Sequence, residues 1–274
     1  MARLHLNINE VEELVSVLSQ HMLDVSFIRT ITLKYLLEDF CEKMHYDSFG
    51  DLLRAICESK KAVKELGRYL RPRKTELFRS SGSWRVLFNN VIPSIIKDKG
   101  VCSILIVGYQ DASELVSLCI GLDRKKIRDL CQIAVVEDAD RESFILKYES
   151  SNKVFKSSLA NFELADIGGD LESFFEIEGP SVSYKCVEKE TVNWIPHKIG
   201  SGHEVGIFDL VIIKDHLMYL NRSAHEKVLR WISYHLEIDG YLSIGVNDSL
   251  SFSSTNAKFK EIDKLSRIYK KVRK

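Results

Sequence analysis

Residues 208–250, FDLVIIKDHLMYLNRSAHEKVLRWISYHLEIDGYLSIGVNDSL, gather polar side chains at the ends of two apolar runs. Phe208–Ile213 and Tyr241–Val246 read as buried strands, with an Asp239-Gly240 turn before the second. Lys214, Asp215, Tyr219, Asn247 and Asp248 follow them, and side chains at such strand ends are the ones a bound ligand meets. VCSILIVGYQDASELVSLCI repeats the pattern: an apolar run, Gly108, a polar turn, then a helix opening near Ser113 and Glu114. That turn can cradle a cofactor, and Ser113 can equally be a simple helix cap. A second run ends in Glu137-Asp138, where an acid can accept from ribose hydroxyls; Asp138 or Asp140 can also merely cap the next helix. Thr75–Arg79, TELFR, carries an arginine that can be plain packing, a surface cation, or a two-pronged grip on a carboxylate.

The elements that must position these residues alternate. Cys102–Val107, Gln132–Val136, Phe208–Ile213 and Tyr241–Val246 read as strands separated by helical segments, which predicts a mostly parallel sheet covered on both faces. A helix over Trp84–Lys97 contains Pro93, a predicted kink, and a helix capped by Asn221 or Ser223 links the last two strands. Residues 152–195 have shorter apolar groups, Gly168-Gly169, Gly179-Pro180 and an alternating VSYKC, which predicts a small antiparallel insertion. Ser266–Val272 reads as a last edge strand blunted by Lys and Arg. The first part of the chain differs: Val11, Leu14, Val15 and Leu18, then Ile28, Ile31, Leu33, Leu36, Leu37 and Phe40, recur at helical spacing. Phe49, Leu52, Leu53 and Ile56, then Val63, Leu66 and Leu70, complete a bundle of about four helices. Arg71-Pro72-Arg73 ends it, giving a helical domain over 1–72, a linker over 73–83 and an α/β domain over 84–274.

Composition narrows the function classes. The 274 residues are 45% hydrophobic and 28% charged, with zero formal net charge, so nothing draws the whole molecule to nucleic acid. No apolar run approaches the ~20 residues that span a bilayer, and the first residues lack a signal-peptide core. The six cysteines show no CxxC pair and read as reduced thiols of a cytoplasmic protein. The eight histidines show no HExxH spacing, so no metal is expected. Charge is uneven: between Arg54 and Arg79 nine Lys/Arg face three acids, a local +6. Such a run is either a solvated face or a docking surface for an acidic partner.

TELFRSSGSW and the 208–250 block, in this order after a helical region, resemble the CheR-type chemotaxis receptor methyltransferases. That family joins an all-helical domain, a T-x-F-F-R signature, a degenerate first cofactor motif, an acidic second strand end, a small β-subdomain and an Arg-Asn–Tyr segment. The resemblance runs from about residue 10 to the IYKKVRK end. It implies a Rossmann-like methyltransferase fold and an S-adenosylmethionine cofactor, left as S-adenosylhomocysteine after transfer. By position, Thr75 and Arg79 match the signature residues near the methyl donor, Glu114 and Ser117 the first motif, Asp138 the ribose carboxylate, and Tyr219 the tyrosine near the transferred methyl. Gly108 ends the strand before that motif, and Lys198 stands where the family has an asparagine.

The resemblance implies a protein-glutamate O-methyltransferase acting in bacterial signalling. Arg79 would pair with the substrate carboxylate, Tyr219 would orient it or the methyl, and Thr75, Gly108, Glu114, Asp138, Lys198 and Asp215 would line the cofactor site. The basic segment Arg54–Lys74 would dock an acidic, glutamate-bearing helical protein such as a chemoreceptor. Three departures support an alternative, a catalytically degenerate relative acting as a scaffold: Ala112 for the motif glycine, Lys198 for asparagine, and Lys214-Asp215 for Arg-Asn. Asp215 adds negative charge where a negative substrate must approach.

Overall fold

The computed structural model describes residues 4–21, 23–70, 76–108, 112–137, 148–179, 181–184, 192–196, 205–251 and 253–273. The chain divides into two compact units, residues 1–72 with 219–225, and residues 73–218 with 226–274.

The first unit is built on four helices: α1 (Ile8–Gln20), α2 (Thr30–Met44), α3 (Phe49–Glu58) and α4 (Lys60–Leu70). Asn7 and Glu10 form a reciprocal capping box at the start of α1, and the Ser48 hydroxyl caps α3. Val11, Leu14, Leu18, Leu33, Leu37, Phe40, Leu52, Ile56 and Leu66 are buried together, as their spacing predicts. Ile31 is an exception at 51% exposure, because at 100° per residue it falls on the side of α2 away from the buried Leu33, Leu37 and Phe40. Segment 219–225 is laced to residues 26–29. Ile28 bridges Leu220, Arg29 donates its N–H to the Tyr219 carbonyl (2.9 Å), and Asn221 donates its N–H to the Phe27 carbonyl (2.8 Å). The Arg29 guanidinium Nε also donates to the Leu220 carbonyl, at 2.9 Å.

The second unit begins with α5 (Ser81–Val86), a π turn (Leu87–Val91) and α6 (Ile92–Lys99). Pro93 has no N–H to offer the Asn89 carbonyl, so the preceding turn widens and the predicted kink is absorbed as a π turn. Next come β1 (Cys102–Val107), α7 (Ser113–Arg124), β2 (Cys131–Glu137), β3 (Glu149–Ser151), α8 (Asn152–Ala165), β4 (Phe175–Glu178), β5 (Ser181–Tyr184) and β6 (Val192–Pro196). After β7 (Phe208–Ile213), α9 (Arg222–His235) leads into β8 (Leu236–Ile244), β9 (Phe259–Asp263) and β10 (Ile268–Lys271). The main sheet has seven strands in the order β6-β2-β1-β7-β8-β10-β9. Strands β6, β2, β1, β7 and β8 are mutually parallel, and β10 runs antiparallel to both its neighbours. This is the Rossmann-like architecture, and β3, β5 and β4 form the small antiparallel sheet beside it.

Three local expectations are corrected. Asp239-Gly240 is not a turn between helix and strand: α9 passes directly into β8, and Asp239 (φ 68°) sits in a bulge where the pairing to β7 slips. Asp-Gly supplies the left-handed backbone that a bulge needs as readily as a turn does. The last strand, β10, is not an edge; it lies between β8 and β9, and β9, with Lys260 and Glu261 exposed, forms the edge. The 152–195 stretch opens with the 14-residue α8, and its final strand β6 belongs to the main sheet.

The core of this unit is continuous from the sheet to an aromatic cluster. Trp84 stacks on Phe88 at 5.6 Å, and Phe78 meets Trp84 and Phe162 edge-on at 6.1 and 5.1 Å. At the amino end of β7, Asp209 accepts from the N–H (2.9 Å) and hydroxyl (2.7 Å) of Ser103 and pairs with Lys99. Burial alone would push its carboxyl up; the Lys99 and Ser103 hydrogen bonds together outweigh that and hold it below the usual carboxylate range.

Candidate functional site

Strand β1 has β2 on one side and β7 on the other, so the chain order reverses at β1. In such sheets the crevice beyond the carboxyl ends of these strands is where ligands bind. Here those ends carry Gly108, Lys214, Asp215 and Gly245, with the amino end of α7 beside β1.

The segment before α5 is the most constrained piece of backbone at this end. Phe78 (φ 52°) and Ser80 (φ 58°) both adopt left-handed conformations that cost about 1–3 kcal/mol each for non-glycine residues. Four groups hold them there. Leu77 donates its N–H to the Ser158 hydroxyl (3.0 Å) and Phe78 to the Ser117 hydroxyl (2.9 Å). The Asn161 amide donates to the Leu77 carbonyl (3.1 Å), and the Ser83 N–H to the Ser80 carbonyl (2.8 Å). Leu77 and Phe78 are fully buried, so the strain is balanced by apolar contact as well. Arg79 is therefore presented from a fixed backbone.

Arg79 reaches the carboxyl end of β7. Its Nε lies 3.3 Å from Asp215 Oδ2, with the arginine side chain 40% exposed and that of Asp215 2%. The neighbouring Lys214 turns the other way and sets its Nζ 4.0 Å above the Trp84 ring. Two consecutive residues after β7 thus tie down both ends of the 79–84 segment. The Ser83 and Ser243 hydroxyls add a third tie at 3.0 Å.

Close approach is built in around Asp215, itself at φ 48°. A Cβ on Gly245 would fall 2.2 Å from Asp215 Oδ1 and 2.3 Å from its backbone nitrogen, so only glycine fits there. Gly108 (φ 74°) is needed twice over, for its left-handed backbone and because a Cβ would fall 2.9 Å from His216 Nδ1. Asp248, 1% exposed, accepts from the N–H groups of Met218 (2.8 Å) and Gly245 (3.0 Å), joining the loops after β7 and β8. At the start of α7, Ala112 occupies the cap position without a side-chain bond. Ser113 is already helical, and its hydroxyl donates to Glu114 at 2.9 Å. Capping is therefore not the work of Ser113.

Of the residues singled out from sequence, the structure brings Arg79, Asp215, Gly108 and Glu114 onto the second unit. Tyr219 lies in the first unit, ending a short 3-10 turn (Leu217–Tyr219) with its carbonyl bonded to Arg29. Thr75, Asp138 and Lys198 lie outside the described residues, as do Tyr109, Gln110 and Asp111. Gly245, Ser158 and Asn161 were not singled out; Gly245 reads in sequence as an unremarked strand end, and the other two are 81 and 84 residues from their partner Leu77. Among the described residues no cluster of three or more His, Cys, Asp or Glu side chains is placed to hold a metal ion. None of their helices is long and apolar enough to cross a membrane.

The donor set suits an amino-acid-bearing nucleoside. Carboxylates after β7 and on α7 can meet an ammonium or hydroxyls, and the Arg79 guanidinium can meet a carboxylate on a second molecule. Gly108 ends β1 at the reversal point in a left-handed conformation, with the His216 ring in the space a side chain would take. The family comparison decides which. Residues 73–267 match the family described as CheR methyltransferase, SAM binding domain. The chain belongs to this family. Its cofactor is S-adenosylmethionine. A Pseudomonas putida protein, "Putative methyltransferase Cher3", is 20% identical over 211 residues, covering 76% of each chain. Among solved structures, the N-methyltransferase NodS of Bradyrhizobium japonicum WM9 has 10% identity and a TM-score of 0.34, covering 70% of this chain and 98% of its own. SAM-bound CalS10, an amino pentose methyltransferase from Micromonospora echinaspora, has 12% identity and a TM-score of 0.32, over 59% of this chain and 50% of that one.

Proposed function

We propose that this CheR-family methyltransferase esterifies glutamate side chains on an acidic, helical protein partner in the cytoplasm, a chemoreceptor-like bundle being the fitting class. The observation that carries the reading is Arg79: a guanidinium on a strained, four-point-anchored segment, already adjusted to a carboxylate and still open to solvent. Such a group is built to receive an external carboxylate in one orientation. S-adenosylmethionine supplies an electrophilic methyl on a sulfonium, which needs no proton transfer from the protein. The work left to the chain is positioning, and a pre-anchored arginine performs it. Tyr219 orients the accepting oxygen or the methyl, an assignment resting on the family resemblance. Thr75, Asp138 and Lys198 complete the cofactor contacts on the same ground.

The partner's charge follows from α4. Lys61, Lys64 and Arg68 are exposed along one face, with Lys60 just before them, while Val63, Leu66 and Leu70 are buried. Lys61 is moderated by a neighbouring acid, Glu65 at 3.8 Å. A positive stripe on a helix steers an acidic surface toward the protein and weakens with added salt.

The test is transfer of a labelled methyl from S-adenosylmethionine to glutamate-rich helical peptides, scored as methanol released by alkali, which esters yield and N-methyl groups do not. Arg79→Ala should abolish release while S-adenosylhomocysteine still binds. Loss of both activities, or of neither, contradicts the role given to Arg79.

A further inference from the structure

Arg79 faces a carboxylate of its own chain before any ligand arrives. Asp215 is fixed in that position by three independent features: its left-handed backbone, the absence of a Cβ at Gly245 beside it, and the anchoring of Lys214 over Trp84. Arg79 is fixed on its side by Ser117, Ser158 and Asn161 acting on the two residues before it. The two ends of the pair differ in access. Asp215 is almost wholly enclosed, whereas two-fifths of the Arg79 side chain meets solvent. An external anion can therefore reach the guanidinium, but it must share it with a carboxylate that has no room to withdraw.

We propose that Asp215 is a specificity-determining residue, an internal carboxylate that makes Arg79 answer only to carboxylates delivered by a docked macromolecule. This rests on the reading of Arg79 as the carboxylate receptor. A dicarboxylate or amino acid free in solution meets repulsion from Asp215 and gains only a partly exposed ion pair, which is weak. A glutamate side chain on a protein already held elsewhere is presented at an effective concentration of millimolar order, which overcomes the same repulsion. The residue that departs furthest in charge from the family's Arg-Asn wording thus acts as a filter against small metabolites.

The experiment uses the full chain and glutarate as the probe. The Arg79 Nε–Hε signal is followed by proton–nitrogen NMR, assigned by its loss in Arg79→Lys. Asp215→Asn keeps the shape, removes the charge and is at ease in a left-handed backbone. The Arg79 signal of Asp215→Asn should respond saturably to glutarate, with a midpoint at least threefold below that of the unaltered protein. A difference smaller than threefold, or no response in Asp215→Asn, overturns the proposal. Should Asp215→Asn fail to fold, Asp215→Gly, free to adopt the same φ, gives the same comparison. S-adenosylhomocysteine binding is read on the same samples. Its absence with the glutarate difference intact removes the methyl-donor pocket but leaves Asp215 its role; binding without the difference does the reverse.

Discussion

Ser117→Ala tests how Arg79 is held. The Ser117 hydroxyl accepts the Phe78 N–H at 2.9 Å and donates to the Ser113 carbonyl at 2.6 Å. Phe78 is fully buried, so the alanine leaves its N–H without that acceptor and without water. An orphaned buried donor costs about 1–3 kcal/mol. Relaxing Phe78 out of its left-handed backbone would recover strain of about the same size, but only by withdrawing Leu77 and Phe78 from the core, at roughly 1.5–3 kcal/mol for each large apolar side chain exposed. The strained conformation therefore persists, and the expected loss is about 1–3 kcal/mol. At about 2–4 °C per kcal/mol for a unit of this size, thermal unfolding followed by circular dichroism should show a midpoint lowered by roughly 2–12 °C. Ser158→Ala removes the acceptor of the adjacent Leu77 N–H and should cost a similar amount. Because the two serines hold one segment, the double variant should lose less than the sum of the singles by more than about 0.5 kcal/mol. A midpoint within one degree of the unaltered protein for Ser117→Ala, or strict additivity with Ser158→Ala, would refute the idea of a jointly anchored segment.

Two further outcomes follow from neighbouring contacts. Gly245→Ala places a methyl 2.2 Å from Asp215 Oδ1 and 2.3 Å from its nitrogen, so the β7 loop must shift; a loss of about 1–3 kcal/mol and a displaced Arg79 Nε–Hε signal are expected, and an unchanged signal would contradict the packing described. Glu226 is held down to about 2 chiefly by the Ser254 hydroxyl, with further bonds from Ser253, the Ser254 N–H and Arg230 outweighing burial. A carboxyl lowered on folding stabilises fully above about pH 4.5 and loses that contribution as pH falls toward 2. Glu226→Gln should therefore be less stable by about 1–2 kcal/mol at pH 7, after allowance for screening. The gap should close between pH 4.5 and 2.5 in parallel urea titrations; a constant gap would contradict the assignment.

How much of this was readable beforehand depends on the range of the interactions involved. Strands β1 and β7 are aliphatic runs broken only by Ser103 and Asp209 near their amino ends, and both were delimited from sequence at the residues where they occur, because a strand buried on both faces shows little polar alternation. Asp215 was visible as a charge at a strand end, and its family-foreign identity flagged it. Its pairing with Arg79 spans 136 positions and left no local trace. The Ser158 and Asn161 anchors were equally hidden, since serine and asparagine within a helix read as neutral surface residues. The bulge at Asp239 and the interior place of β10 were misread for a related reason: dipeptide chemistry and end-of-chain charge are local signals, whereas register and strand order are decided by what packs alongside. Segment 219–225 shows the same limit, with its bridge to Ile28 formed across most of the chain.

Calorimetric titration with S-adenosylhomocysteine tests the central claim most directly, since a rewritten first cofactor motif around Ala112 must still bind for any transfer to occur. The account predicts one site per chain at micromolar strength, about −8 kcal/mol. No heat of binding from protein shown to be folded would contradict it and would favour the scaffold alternative.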